Sequence, residues 1–206
     1  MKIAIVGGTG AFGRALARKL RGLGYDVRIG SRDAERGKER AIELGVEGGS
    51  NDEVVRGADL VVLATKSNAA LDTARELVEA IGETPVLCVA SDLAFTDAGV
   101  LPRRDERSLA EELSEIVRGP VASGLQSLSA AHLAASQPPD EDALVCGDDQ
   151  RAKLPALELA GQLVGGRAVD VGPLANSRAL EAMTAVILNV NREYGITAGV
   201  RLTGFP

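Results

Sequence analysis

The first thirteen residues, MKIAIVGGTGAFG, constrain the fold more than any other stretch of the chain. The apolar run at residues 2–6 is short and rich in Ile and Val, so it reads as a strand buried on both faces. Gly7-Gly8-Thr9-Gly10 closes it, and residues 11–21 then set Phe12, Leu16 and Leu20 at helical spacing, with Leu23 just beyond. Inside this strand, turn and helix, Gly8-Thr9-Gly10-Ala11-Phe12-Gly13 fits G-x-G-x-x-G. The first glycine allows a tight turn, the second lets backbone N–H groups approach a pyrophosphate, and the third lets the helix pack on the strand. A phosphate placed there meets free N–H groups and the positive end of the helix dipole. The segment therefore predicts a dinucleotide site that includes Thr9, Gly10, Ala11, Phe12 and Gly13.

The remaining pattern continues the alternation. Residues 26–30 read as a second strand, and residues 33–44 as a charged helix stopped by Gly45. Residues 59–64 and 85–90 are continuous apolar strands with a helix, 68–81, between them. Residues 98–107 read as a loop, and Ser108 with Glu111 as a capping box for a helix reaching Val117. Two short strands, 121–123 and 143–146, flank a polar, proline-bearing loop at 136–142. A helix at 149–163, a strand at 168–171 and a helix at 176–194 follow. Such an order predicts an α/β fold, a Rossmann-type doubly wound parallel sheet with right-handed crossovers and a small C-terminal α/β and helical portion. The expected division is a nucleotide domain at 1–135 and a small C-terminal domain at 136–206. The last helix carries Leu180, Met183, Ala185, Val186, Ile187, Leu188 and Val190 around most of its circumference. That exceeds the needs of a one-sided helix, so it is expected to lie centrally or to bury surface between the subunits of a homodimer.

The end of the second strand selects the dinucleotide. An NAD site usually has an acidic residue there for the ribose 2'-hydroxyl, whereas this chain has Gly30-Ser31-Arg32, with Arg36 one helical turn on. A hydroxyl and two guanidinium groups suit a 2'-phosphate, so NADP is the expected cofactor. Asp33 reads as the cap of the following helix.

Composition removes other functions. With a net charge of -6 and no basic run, the chain lacks the footprint of a nucleic-acid binder. Cys88 and Cys146 each sit in an apolar run and read as buried thiols of a reducing compartment rather than as a disulfide or metal pair. His132 is the only histidine, which leaves no histidine cluster for metal binding and no spare base for hydrolysis. It sits among alanines on a short helix and reads as structural or surface. No apolar run approaches the roughly 18 residues of a membrane span, so the expected protein begins its fold at residue 1, binds no membrane and resides in the cytoplasm.

Several motifs beyond the glycine turn point to one family. Gly7-Gly8-Thr9-Gly10, Gly30-Ser31-Arg32, Cys146-Gly147-Asp148-Asp149, Asp170-Val171-Gly172-Pro173-Leu174 with Asn176-Ser177-Arg178, Asn189-Val190-Asn191-Arg192 and the tail 199–204 together resemble the F420-dependent NADP reductases. The resemblance runs nearly end to end. It implies a dimeric oxidoreductase that moves hydride between NADPH and the deazaflavin coenzyme F420. Carried over by motif, Thr9, Gly10, Ala11 and Phe12 meet the pyrophosphate, Ser31, Arg32 and Arg36 the 2'-phosphate, and Thr65, Ser91 and Ala130 the nicotinamide half. On the acceptor side, Lys66 is a candidate for an anionic part of the acceptor, Gln126 for a hydrogen bond to a ring carbonyl, and Asp92 for a hydrogen bond to the acceptor. Turn, cap or solvated roles compete for Lys66, Ser91, Asp92 and Gln126. Direct hydride transfer needs positioning rather than a protein acid or base, so no catalytic residue is expected. Three segments depart from the family pattern: Ala64-Thr65-Lys66-Ser67, Ala90-Ser91-Asp92-Leu93 and Leu125-Gln126-Ser127. They keep two alternatives open, an NADPH-dependent reductase of a flavin, pterin or imine, and a non-catalytic NADP sensor.

Overall fold

A computed structural model describes residues 1–103 and 106–205. In chain order its elements are β1 (Lys2–Val6), α1 (Ala11–Gly22), β2 (Asp26–Ser31), α2 (Ala34–Leu44), β3 (Glu47–Ser50), α3 (Asn51–Val55), β4 (Leu60–Leu63), α4 (Ser67–Ile81) and β5 (Val86–Cys88). A hairpin follows, β6 (Leu93–Thr96) and β7 (Gly99–Pro102), then α5 (Leu109–Ser114), β8 (Val121–Gly124) and α6 (Ala130–Ala134). The last elements are β9 (Ala143–Gly147), α7 (Gln150–Leu163), β10 (Ala168–Asp170), a 3-10 turn (Leu174–Asn176) and α8 (Ser177–Tyr194).

Eight strands form one sheet in the order β10-β9-β8-β5-β4-β1-β2-β3. All neighbours are parallel except β8 and β9. From β1 the chain winds outward through β2 and β3, then returns to β4 and winds the other way, so the strand order reverses between β1 and β4. Ligands of open α/β sheets sit at such a reversal, outside the strands' carboxyl ends. Register aligns those ends: Val6 pairs with Gly30 and Leu63, Leu63 with Cys88, and Cys88 with Ser123.

The continuous apolar strands are explained by helices on both faces. On one face Ile3, Ile5 and Val62 pack with Leu16 and Leu20 of α1 and with Ala156, Leu159 and Leu163 of α7. On the other, Ala4, Val61 and Val86 pack with Ala74 and Leu77 of α4 and Leu109 and Leu113 of α5. Each fully buried Leu or Ile contributes about 1.5–3 kcal/mol. Residues 136–206 add β9 and β10 to the same sheet, and α7 shares a core with α1.

Several elements differ from the sequence expectation. β3 and α3 are additional elements: β3 reads Glu-Gly-Gly-Ser with no apolar residue, and α3 is a five-residue helix too short to show a period. The β3 glycines serve contact with α2: a Cβ on Gly37 would lie 2.2 Å from the Gly49 carbonyl oxygen. Residues 98–107, expected as a loop, contain β7, paired antiparallel with β6, while Arg104 and Asp105 lie outside the described residues. Asn189 of α8 holds β7 by accepting from the Val100 N–H at 2.8 Å and donating to its carbonyl at 2.7 Å. The capping box at Ser108 and Glu111 is present, but its helix ends at Ser114 rather than Val117. Among the described residues no helix is long and apolar enough to cross a membrane. No cluster of three or more His, Cys, Asp or Glu among them could hold a metal ion.

Candidate functional site

The glycine turn at the end of β1 is as tight as the motif requires. Gly7 has φ +78, and a Cβ there would lie 2.9 Å from the Ala64 carbonyl oxygen and 3.0 Å from Thr65 Cα, so β1 and β4 meet through backbone. A Cβ on Gly13 would lie 2.7 Å from Gly8 Cα. Gly10 stands open by comparison and is the N-cap of α1, where it offers no side-chain bond; the first turn holds no acidic residue. The α1 N–H groups are thus left to an outside acceptor. α4 also starts without a side-chain cap or an early acid, at Lys66. In contrast, Asp33, Ser50 and Ser129 cap α2, α3 and α6 at this same edge.

At the end of β2, Ser31 is buried and its Oγ accepts from the Asp33 N–H at 3.3 Å. Asp33 caps α2 as expected, accepting from the N–H groups of Glu35 and Arg36. Arg32 and Arg36 are exposed and carry no ion pair among the described residues, whereas Lys38 and Arg40 pair with Glu35 and Glu43. Two guanidinium groups therefore stand free where a 2'-phosphate would lie.

Farther along the edge, Thr65 Oγ1 is buried with no hydrogen-bond partner. Lys66 is exposed and without an ion pair among the described residues. The Ser91 hydroxyl meets Thr184 Oγ1 at 2.9 Å, and Thr184 donates to the Gln126 carbonyl at 3.2 Å, which joins β5, β8 and α8. Asp92 is buried, with its carboxylate 3.6 Å from the Arg103 guanidinium. Gln126 follows Leu125, the one non-glycine residue with positive φ (+70) among those described. Its Nε2 donates to the Cys88 carbonyl at 3.2 Å and to Ser123 Oγ at 2.6 Å. Both amide hydrogens are thus engaged within the chain, while its Oε1 is buried and unpartnered. Ala130 opens α6 and packs, like Phe12, against the core under α1. Ser127 and Thr184 were not singled out from the sequence; Ser127 Oγ is a further buried hydroxyl without a partner.

The profile of the family described as NADP oxidoreductase, coenzyme F420-dependent, matches residues 2–91. The F420-dependent NADP reductase of Methanothermobacter thermautotrophicus is 33% identical over 223 residues, covering 100% of this chain and 96% of the relative. That of Methanocaldococcus jannaschii is 34% identical over 221 residues, covering 98% of each. The chain belongs to the F420-dependent NADP reductase family. A crystal structure from Arthrobacter sp. FB24, provisionally described as such a reductase, has TM-score 0.88 at 24% identity and covers 99% of this chain and 100% of its own, which bears on the fold alone.

In this F420-dependent NADP reductase family member the residues present fit NADP. The cradle has no room for a side chain at Gly7, Gly8 or Gly13, α1 keeps an open N-terminus, and Arg32 and Arg36 carry no ion pair among the described residues. The C-terminal family motifs do other work. Because β9 runs antiparallel to β8, Asp148, Asp149 and Asp170 lie at the opposite edge of the sheet, where they bond the N–H groups of Leu174, Arg151 and Gly172. His132 Nδ1 is 2.7 Å from Glu141 Oε1, and burial pushes the Glu141 carboxyl up, partly opposed by that histidine. The pair borders a cavity of about 320 Å³ beneath Gly199 to Arg201 of the tail. Cys88 and Cys146 are free and buried, their thiols pushed up to about 12 by desolvation.

Proposed function

We propose that this chain is an oxidoreductase that transfers a hydride between NADPH and F420. The observation that carries the reading is the cluster of unanswered groups at one sheet edge: the α1 N-terminus, Arg32, Arg36, Thr65 Oγ1, Gln126 Oε1 and Ser127 Oγ. Full-length kinship to curated reductases supports it. The backbone N–H groups from Gly10 to Gly13 would hold the pyrophosphate, Ser31, Arg32 and Arg36 the 2'-phosphate, and Thr65, Ser91 and Ala130 the nicotinamide half. When bound, the dihydronicotinamide supplies the hydride. The protein's part is to align two rings and exclude water, which requires no protein acid or base. Lys66 stands free for an anionic group of the acceptor, while Asp92 faces Arg103 and shapes the turn beside it. Residues 136–206 would form the acceptor-side portion, with α8 tied to the edge through Thr184. The exposed Val186 and Tyr194 on α8 suit a homodimer contact, and the two free thiols suit the cytoplasm.

The test is an anaerobic assay with NADPH and F420. Bleaching of the deazaflavin visible band with multiple turnovers is expected. No turnover at saturating concentrations of both would overturn the reading; turnover of a flavin, pterin or imine alone would install that acceptor instead, and NADPH binding without any turnover would leave a sensor. Light scattering at micromolar concentration should give the mass of a dimer.

A further inference from the structure

We propose that the C-terminal tail, residues 199–205, is a pH-sensitive latch, held down most firmly while the His132 and Glu141 pair keeps its proton and loosened as the sealed Glu141 carboxylate ionises. The device rests on residues outside the nucleotide and acceptor readings and stands or falls without them.

Beyond α8 the chain turns back across the amino ends of β9 and β10. The Ala198 N–H donates to Asn191 Oδ1 at 2.6 Å, and the Val200 carbonyl accepts from the Asp142 N–H at 2.7 Å. The Asp142 carboxylate, fully buried, accepts from the Leu202 N–H and from the Arg167 guanidinium, each at 2.8 Å. Arg167 also donates to the Leu202 carbonyl and lies 3.9 Å from the Phe205 ring, and Arg201 pairs with Asp140. Val200 and Leu202 pack against the cluster of Leu144, Cys146 and Leu180. All of these contacts favour the tail lying down, and none involves Glu141.

Glu141 opposes them. It is only 2% exposed; its Oε1 meets His132 Nδ1 at 2.7 Å, and its Oε2 is buried with no hydrogen-bond partner. Gly199 is the cover over that oxygen. A Cβ on Gly199 would lie 1.8 Å from Oε2 and 2.9 Å from Glu141 Cβ, a contact that turning the carboxylate alone does not relieve. The cavity of about 320 Å³ bordered by His132, Glu141 and Gly199 stops short of Oε2, so the ionised oxygen gains water only when Gly199 lifts. The other charges around Glu141 are His132 on α6, Asp140 and Asp142 beside it, Arg167 before β10, Arg201 on the tail, and Lys19 on α1, which donates to the Ala135 carbonyl at 3.4 Å. Asp142 stays ionised, because the Arg167 guanidinium holds its carboxyl well below the usual carboxylate range. For Glu141 burial acts first and pushes the carboxyl up from its ordinary 4.5, with His132 and the Val200 backbone opposing. A raised value in the docked form means that the contribution to docking is complete below about 4.5 and is lost as pH climbs through the docked value.

Amide hydrogen exchange on the full chain, corrected for intrinsic rates, reads the opening through the Leu202 and Asp142 N–H groups, which are bonded only while the tail is down. In the wild type the opening constant is expected to rise roughly tenfold or more from about pH 5 to about pH 8. Glu141→Gln keeps an oxygen for the His132 N–H and removes the charge, so its opening constant should stay flat across that range. A purely structural Glu141 would leave the slope equal in both proteins; that result, or no rise in the wild type, overturns the latch. Should Glu141→Gln fail to fold, Gly199→Ala carries the test beside the wild type. Its Cβ props the tail off Glu141, so both amides should lose protection roughly tenfold or more at the acid end of the range, where the wild-type tail is held most firmly. Protection equal to that of the wild type there overturns the inference.

Discussion

The two edges of the sheet use polar residues in opposite ways. Where β9 and β10 end, Asp148 accepts from the Leu174 N–H at 3.0 Å, Asp149 from Arg151 at 2.8 Å and Asp170 from Gly172 at 2.9 Å. Lys153, nearly buried, pairs with Asp170, and Ser108 and Ser177 bond each other at 2.6 Å. At the edge where β1, β4 and β8 end, Thr65, Gln126 and Ser127 keep buried oxygens unbonded, and Arg32, Arg36 and Lys66 carry no ion pair among the described residues. The first edge has answered its own donors and acceptors and so serves folding. The second bears the cost of leaving them open, which a fold retains where a ligand supplies the missing partners.

The sharpest way to separate the edges is to remove charge from one and a cap from the other. Arg32→Ala with Arg36→Ala should raise the KM for NADPH about 1,000-fold, since each charge-assisted hydrogen bond is worth roughly 1.5–3 kcal/mol. The KM for NADH should change little, and the melting temperature should stay put. Equal losses for the two dinucleotides would break the assignment of this pair to the 2'-phosphate. Asp148→Ala should do the reverse. It strands the N–H of the buried Leu174, at a cost of about 1–3 kcal/mol and about 2–4 °C in Tm per kcal/mol at this chain length. Steady-state kinetics should show an unaltered KM for NADPH; a rise would mean that the two edges are coupled.

How legible each edge was in the sequence follows from the same contrast. β1, β4 and β5 announce themselves because both faces are buried, and the glycine turn because close backbone contact leaves one residue type able to serve. Asp33 and Ser108 are readable as caps because capping is local. β3 was illegible, since an edge strand pressed against a helix through Gly37, Gly48 and Gly49 has no apolar pattern. The β6 and β7 hairpin depends on Asn189, far off in sequence. The motif at 146–149 was quoted for its family specificity, yet only the antiparallel turn of β9 shows that it stands away from the nucleotide edge. The orientation of the Gln126 amide is set by the Cys88 carbonyl, 38 residues earlier, a contact that no local pattern announces.

A smaller effect tests the open edge without charge. Thr65→Val removes a hydroxyl that has no partner and keeps its shape. Stability should hold or rise by up to about 1 kcal/mol, while kcat/KM for NADPH falls about 10-fold, a split seen by pairing thermal melts with initial rates. A matching loss of stability would show that Thr65 Oγ1 is satisfied in the free protein and has no ligand to await.

The smallest effect belongs to the start of α8, on the answered edge. Arg178 donates to both oxygens of Glu111, and the Ser108 N–H and hydroxyl add to the set. Together they hold the Glu111 carboxyl down from its ordinary 4.5 to about 2. A depressed folded value means that the charged form is favoured by folding, so the stabilisation is complete above the unfolded pKa and is lost as pH falls from about 4.5 toward 2. Glu111→Gln should therefore lower Tm slightly at neutral pH and flatten the acid limb of a Tm-against-pH curve between those values, with the KM for NADPH unchanged. An acid limb as steep as the wild type's would place the acid sensitivity in other carboxylates of this edge, such as Asp149 and Asp170, whose pKa values are also lowered by their backbone and side-chain partners.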